Sequence, residues 1–226
     1  MLAQICHFLG VDSSNFPLNE HVCIVDRSKD AGFLIHYFLN LCKKQNRPLC
    51  VLGLTQSFNH YSSVAQKLGT NLLSARDNKN LIFIEGLQLL SDYVIGDQSK
   101  TNPFLQLVIG NVSRLNELIR ESLESVQLSS PSALPPVVII DDLSVLLSLG
   151  VPSKNVICFV KSLISLVTSY CPGGSLISSV SVSDSDSDEE DIWSCLSHFG
   201  TLNIEVSNLK SGYCKEVHGQ VRANRY

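Results

Sequence analysis

The sequence predicts an α/β domain with a mostly parallel central sheet flanked by helices and antiparallel strands at its C-terminal edge. Three observations carry this expectation. Short apolar runs of strand length recur along the 226 residues. Segments with helical periodicity separate the early runs, as crossover connections between parallel strands require. The last two runs are joined only by a short polar stretch, which suits an antiparallel pair.

Four runs lack polar alternation and so read as strands covered on both faces: 21–25, 49–54, 81–84 and 137–140. A fifth, 176–182, is richer in serine. Residues 32–44 place Phe33, Leu34, Tyr37, Phe38 and Leu41 on one helical face. Residues 61–68 form a second helical pattern stopped by Gly69, and residues 104–126 read as one long helix with a stripe of Leu115, Leu118, Ile119 and Leu123. A further helix over 153–170 ends before Pro172-Gly173-Gly174. Residues 201–206 and 213–222 read as the edge pair, joined by 208–212. Residues 129–136 form a Ser/Pro-rich loop, and residues 183–191 an acidic flexible loop. No internal repeat divides the chain, so residues 1–226 are expected to form a single domain.

The composition narrows the function classes. With 44% hydrophobic and 17% charged residues, the chain is greasier than ordinary soluble domains, which are about 25% charged. It can fill a core and retain apolar surface for partners. A net charge of −4 and a pI near 5.8 disfavour whole-surface attraction to nucleic acid. The longest apolar segment near 156–167 is broken by Lys161 and falls short of the roughly 20 residues a membrane span needs. No positive region opens the N-terminus as a secretory signal does. Eight cysteines contain no C-x-x-C pair; Cys23, Cys50 and Cys158 read as small core residues in a reducing compartment. The six histidines are scattered without ligand spacing, so no metal is expected.

In an open parallel sheet, ligands bind beyond the carboxyl ends of the strands. The first strand leads into Asp26-Arg27-Ser28-Lys29-Asp30-Ala31-Gly32 and then a helix, the layout of a phosphate-binding loop. That chemistry requires glycines for backbone wrapping, a lysine on the terminal phosphates and a hydroxyl on magnesium. Here one glycine remains, Lys29 comes too early, and aspartates flank the loop. The fourth strand ends in Asp141-Asp142, the shape of a magnesium-holding element. Those residues also precede an apolar helical stretch, so helix capping or interface work is preferred to metal binding. The degenerate nucleotide-site positions are therefore Ser28, Lys29, Gly32, Gln56, Asp141 and Asp142, with no catalytic residue and no cofactor expected.

The stretch from Leu49 to Gly69, with Tyr61, Lys67, Leu68 and Gly69, resembles the second strand and following helix of RecA-like proteins. Where that family carries a water-activating glutamate, this chain has Leu54-Thr55-Gln56. More closely, residues 32–39 (GFLIHYFL), 56–69, 81–87, 141–150 (DDLSVLLSLG) and 214–222 (CKEVHGQVR) resemble the sixth-subunit family of the Elongator complex. The resemblance implies a RecA-like fold without a standard phosphate loop and a non-catalytic accessory role. It implies a hetero-oligomeric ring built with two related Elongator subunits, and association with the rest of Elongator. Through that assembly it implies contact with transfer RNA during wobble-uridine modification, in the cytoplasm and also the nucleus. Relatives of this family continue past the position of Arg225-Tyr226 with further strands, which would leave the sheet edge here uncovered.

Two other readings stay open on the residues alone. One is a weak nucleotide-binding, ATPase-like protein with Ser28 and Lys29 on phosphates and Asp141 on magnesium. The other is a scaffold adaptor of RecA ancestry. The acidic run fails as a calcium loop, since Glu189 stands where glycine is needed and Cys195 where glutamate is needed. Its serines, each followed by acids, are candidates for phosphorylation. Lys43, Lys44 and Arg47 suit a helix C-terminus, with a phosphate contact as the alternative.

Overall fold

A computed structural model describes residues 2–12, 15–27, 31–95, 102–129, 134–183, 187–209 and 219–226. In chain order the elements are α1 (Leu2–Leu9), β1 (His21–Asp26), α2 (Gly32–Lys44), β2 (Leu49–Gly53), α3 (Phe58–Lys67), α4 (Leu72–Asp77), β3 (Leu81–Glu85), α5 (Gly86–Ile95), α6 (Pro103–Val108), α7 (Ser113–Ser129), β4 (Val137–Ile140), α8 (Ser144–Ser148), α9 (Ser153–Tyr170), β5 (Ser175–Ser181), α10 (Ser187–Phe199), β6 (Leu202–Ser207) and β7 (Gln220–Arg225).

The strands form one sheet in the order β3-β2-β4-β5-β1-β6-β7. All neighbours run parallel except β6 and β7, which are antiparallel with Ile204 opposite Ala223. Central strands show no polar alternation because each face is covered by its own apolar layer. On one side Cys23, Val25, Cys50, Leu52, Val138 and Ile140 pack against α7, α9 and α10 residues such as Leu123, Phe159 and Ile192. On the other, Val22, Ile24, Val51, Val137 and Ile139 pack with Leu34, Phe38 and Tyr61 of α2 and α3. Successive residues point to opposite faces, and both faces are core. This three-layer arrangement brings the carboxyl ends of β1, β2, β4 and β5 to one side of the molecule.

Four sequence expectations need correction. The helix read over 104–126 is two helices. Gly110 takes φ +87°, a left-handed turn that ends α6. Asn155 of α9 donates through Nδ2 to the carbonyls of Leu107 and Val108 at 3.0 and 3.1 Å. Asn111 then accepts from the Ser113 N–H at 3.1 Å and starts α7. The acidic run, read as a loop over 183–191, is helical from Ser187, with Asp188, Glu189 and Glu190 in the first turn of α10. Carboxylates there complement the helix dipole. The last strand occupies Gln220–Arg225, later than the 213–222 expected from the sequence; residues 210–218 lie outside the described residues. Cys158, read as core, is exposed on α9.

The β2–β3 junction depends on two glycines. A Cβ on Gly86 would lie 2.5 Å from the Gly53 carbonyl oxygen and 2.9 Å from Leu54 Cδ2; one on Gly53 would meet the Phe83 ring at 2.3 Å. Backbone cannot yield as a flexible side chain does. Gly86→Ala is therefore expected to destabilise the fold by about 2 kcal/mol, read as a lower urea midpoint.

Candidate functional site

Where the four strands end, they frame a crevice of about 530 Å³. Its lining includes Asp26 from β1, Gly32 and His36 from α2, Thr55 and Gln56 after β2, His60 and Tyr61 from α3, Asp141 and Asp142 after β4, and Ser181 from β5. Of the six positions singled out in the sequence, Gly32, Gln56, Asp141 and Asp142 come together here. Ser28 and Lys29 lie outside the described residues.

The aspartates are held by the protein itself. Asp141, 5% exposed, accepts from the Leu54 N–H at 2.7 Å, the Thr55 N–H at 3.0 Å, the Thr55 hydroxyl at 2.7 Å and the Tyr61 hydroxyl at 2.9 Å. Both carboxylate oxygens are engaged in tying the end of β4 to the end of β2 and to α3. Asp142 accepts from the Ser144 N–H at 2.9 Å, at the start of α8, and from the Ser181 N–H and hydroxyl at 3.1 and 2.6 Å. Burial raises the Asp142 carboxyl above its ordinary value, although the Ser181 hydroxyl and the other donors oppose the shift. Burial, with Asp141 beside it, likewise raises the Tyr61 hydroxyl.

The start of α2 is occupied in the same way. Asp26 Oδ2 accepts from the Ala31 N–H at 2.9 Å, a backbone amide of the kind a phosphate loop presents to its anion. Gly32 is exposed, and a Cβ built on it meets nothing within 4 Å, so no close backbone approach demands glycine there. In the stretch Leu54-Thr55-Gln56, Thr55 donates its hydroxyl to Asp141, while Gln56 stands exposed at the rim. Among the described lining residues, four are carboxylates (Asp26, Asp141, Asp142 and Glu189) and none is lysine or arginine. Nearby Arg27 grips Glu190 with two nitrogens at 2.8 and 2.9 Å and approaches Glu205 at 3.4 Å. A polyphosphate entering this crevice meets charge of its own sign in a partly desolvated space.

Sequence reasoning missed the histidine wall. His36 and His60 approach with ring centroids 5.9 Å apart, and His36 lies 5.2 Å from the Tyr61 ring. Burial, then the neighbouring His60, holds His36 below the ordinary imidazole value. They come from different helices, and no local spacing announces the pair. A second buried group, His21, bonds Ser178 Oγ at 2.8 Å inside the sheet. Among the described residues, no group of three or more His, Cys, Asp or Glu side chains is placed to hold a metal ion, and no helix is long and apolar enough to cross a membrane. Arg47, considered in the sequence for phosphate, is 4% exposed. Its guanidinium lies over the Phe16 ring at 4.4 Å and donates to the Pro135 carbonyl at 3.0 Å, which are structural contacts.

The strand order, the helical layers on both faces and the crevice at the carboxyl ends define a RecA-like α/β domain. Solved structures agree on this class. The flagellar accessory protein FlaH from Methanocaldococcus jannaschii superposes with a TM-score of 0.65 at 13% identity, covering 99% of this chain and 84% of its own. A KaiC-like protein from Pyrococcus horikoshii gives 0.60 at 12% identity, covering 92% and 80%. An uncharacterized protein of the same archaeon gives 0.64 at 7% identity, covering 98% and 97%. Residues 3–225 match the family Elongation complex protein 6, and the chain belongs to that family. Its relatives include Elongator complex protein 6 of Xenopus laevis, 38% identical over 100% of this chain and 86% of that protein. The Homo sapiens protein of the same name is 34% identical over 98% of this chain and 85% of its own length.

Proposed function

We propose that this chain is a non-catalytic subunit of the Elongator complex, seated in a hetero-oligomeric ring with two related RecA-like subunits that supports wobble-uridine modification of transfer RNA. Family membership supplies the complex. The observation that carries the non-catalytic part is the closure of Asp141: four protein donors converge on its two oxygens, so the carboxylate is committed to the fold rather than to magnesium. Asp26 on the Ala31 amide and Thr55 on Asp141 support the same reading from the other strands. A RecA-like frame whose crevice is closed by its own side chains contributes surfaces instead of chemistry. Exposed apolar side chains such as Ile109, 70% accessible, and Leu128, 82% accessible, give it material for subunit contacts.

The test is assembly. Co-expression with the two related subunits, followed by native mass spectrometry, is expected to give a closed complex containing all three chains. A stable lone monomer in the presence of both partners at micromolar concentration would overturn the ring.

A further inference from the structure

Ser183, Ser185 and Ser187 each carry acidic residues one and three positions downstream: Asp184 and Asp186, Asp186 and Asp188, Asp188 and Glu190. A kinase with a cationic peptide cleft selects such serines by charge complementarity. The fold distinguishes two of them. Ser183 is half-buried; its hydroxyl donates to Glu189 Oε2 at 2.9 Å and its N–H to the same oxygen at 2.7 Å. Ser187 is exposed and is the first residue of α10. Its third-downstream carboxylate, Glu190, is the one clamped by Arg27 from the end of β1. Arg27 lowers the Glu190 carboxyl and keeps it ionised.

We propose that Ser187 is a phosphorylation site for an acid-directed serine kinase, and that the Arg27–Glu190 clamp governs access to it. A kinase binds its substrate extended, so the first turn of α10 must unwind and Glu190 must leave Arg27 before the cleft can read it. Release is feasible because Arg27 keeps Glu205 at 3.4 Å. In the transfer, Ser187 Oγ bonds to the γ-phosphorus of ATP, the bond from that phosphorus to the bridging oxygen breaks, ADP departs, and the hydroxyl proton passes to the kinase's base. The product adds a charge of about −1.5 to −2 next to Glu189, which lines the crevice. Phosphorylation therefore deepens the acidity at the crevice mouth and competes with Glu190 for Arg27. The proposal stands on the acidic run and its clamp, independently of the ring.

The experiment incubates the full chain with ATP and an acid-directed serine kinase, and maps phosphate by mass spectrometry. The expected result is phosphate at Ser187, lost in Ser187→Ala. Arg27→Gln is expected to raise the initial rate at least about threefold, because the clamp is gone and the recognition carboxylate remains. Glu190→Gln is expected to lower it below the unsubstituted rate, because that carboxylate itself is gone. General loosening of α10 would raise both, so the opposite signs separate a specific clamp from disorder. Absence of phosphate at Ser187 in both the unsubstituted chain and Arg27→Gln would overturn the proposal, as would the two variants moving in the same direction.

Discussion

Asp141→Ala is expected to destabilise the domain by about 4 kcal/mol, because it strips the acceptor from buried donors that have no other outlet. Leu54 is wholly buried, so its amide loses its partner out of reach of bulk water, and the Tyr61 hydroxyl, on a residue 4% exposed at the crevice wall, is left poorly solvated. Thr55 is less buried, and water recovers part of its loss. Each orphaned buried donor costs about 1–3 kcal/mol, which sets the total. Asp141→Asn is expected to cost less, about 2 kcal/mol, since one amide oxygen still accepts while the NH₂ group faces donors. Urea unfolding of the metal-free proteins measures both. A carboxylate kept for magnesium would behave oppositely: in metal-free protein its removal next to Asp142 would relieve repulsion, and stability would hold or rise. Unchanged or increased stability of Asp141→Ala would thus sink the structural assignment of this residue.

The second large effect is acid lability. His21 is 3% exposed, and burial drives its pKa down to about 4, only partly countered by a backbone hydrogen bond with Phe199. In the unfolded chain the imidazole titrates near its ordinary value of about 6.5. The folded state therefore holds the neutral form where the unfolded state already binds a proton. Stability is fully present above about pH 6.5 and is lost progressively as pH falls towards about 4, with a total of roughly 3 kcal/mol. His36, also lowered, adds in the same direction, whereas Asp142, raised, opposes part of the loss. His21→Gln keeps a polar partner for Ser178 without the titrating ring, and is expected to flatten the dependence over this window. Equal slopes for the two proteins in urea melts between about pH 7 and pH 4 would show that His21 does not carry the effect.

How much of this was legible before the structure follows from which interactions are local. The bounds of α2 and α9 could be read directly, because helical periodicity and end signals lie within each segment. The core strands were legible for a related reason: helices on both faces remove any need for polar alternation. The break at Gly110 was not, since the carbonyls it leaves are satisfied by Asn155, far along the chain. The displacement of the last strand to Gln220–Arg225 has the same origin, because register against β6 is decided by pairing rather than composition. At the crevice, the sequence identified Asp141 and Asp142 as important and preferred a capping role to a metal. It identified neither the donors on Asp141, which arrive from the β2–α3 connection, nor the approach of His36 to His60. Asp26 was read as an obstacle to an anion; its bond to the Ala31 amide makes that obstacle specific.

If Asp26, Asp141 and Asp142 are spent on protein donors, this crevice should not take up nucleotide. Titrating Mg-ATP into the purified chain in a calorimeter reads this out. The expected trace is flat at millimolar ligand and unchanged by Lys29→Ala or Asp141→Asn. A saturable heat that disappears in those variants would contradict it and restore a nucleotide site.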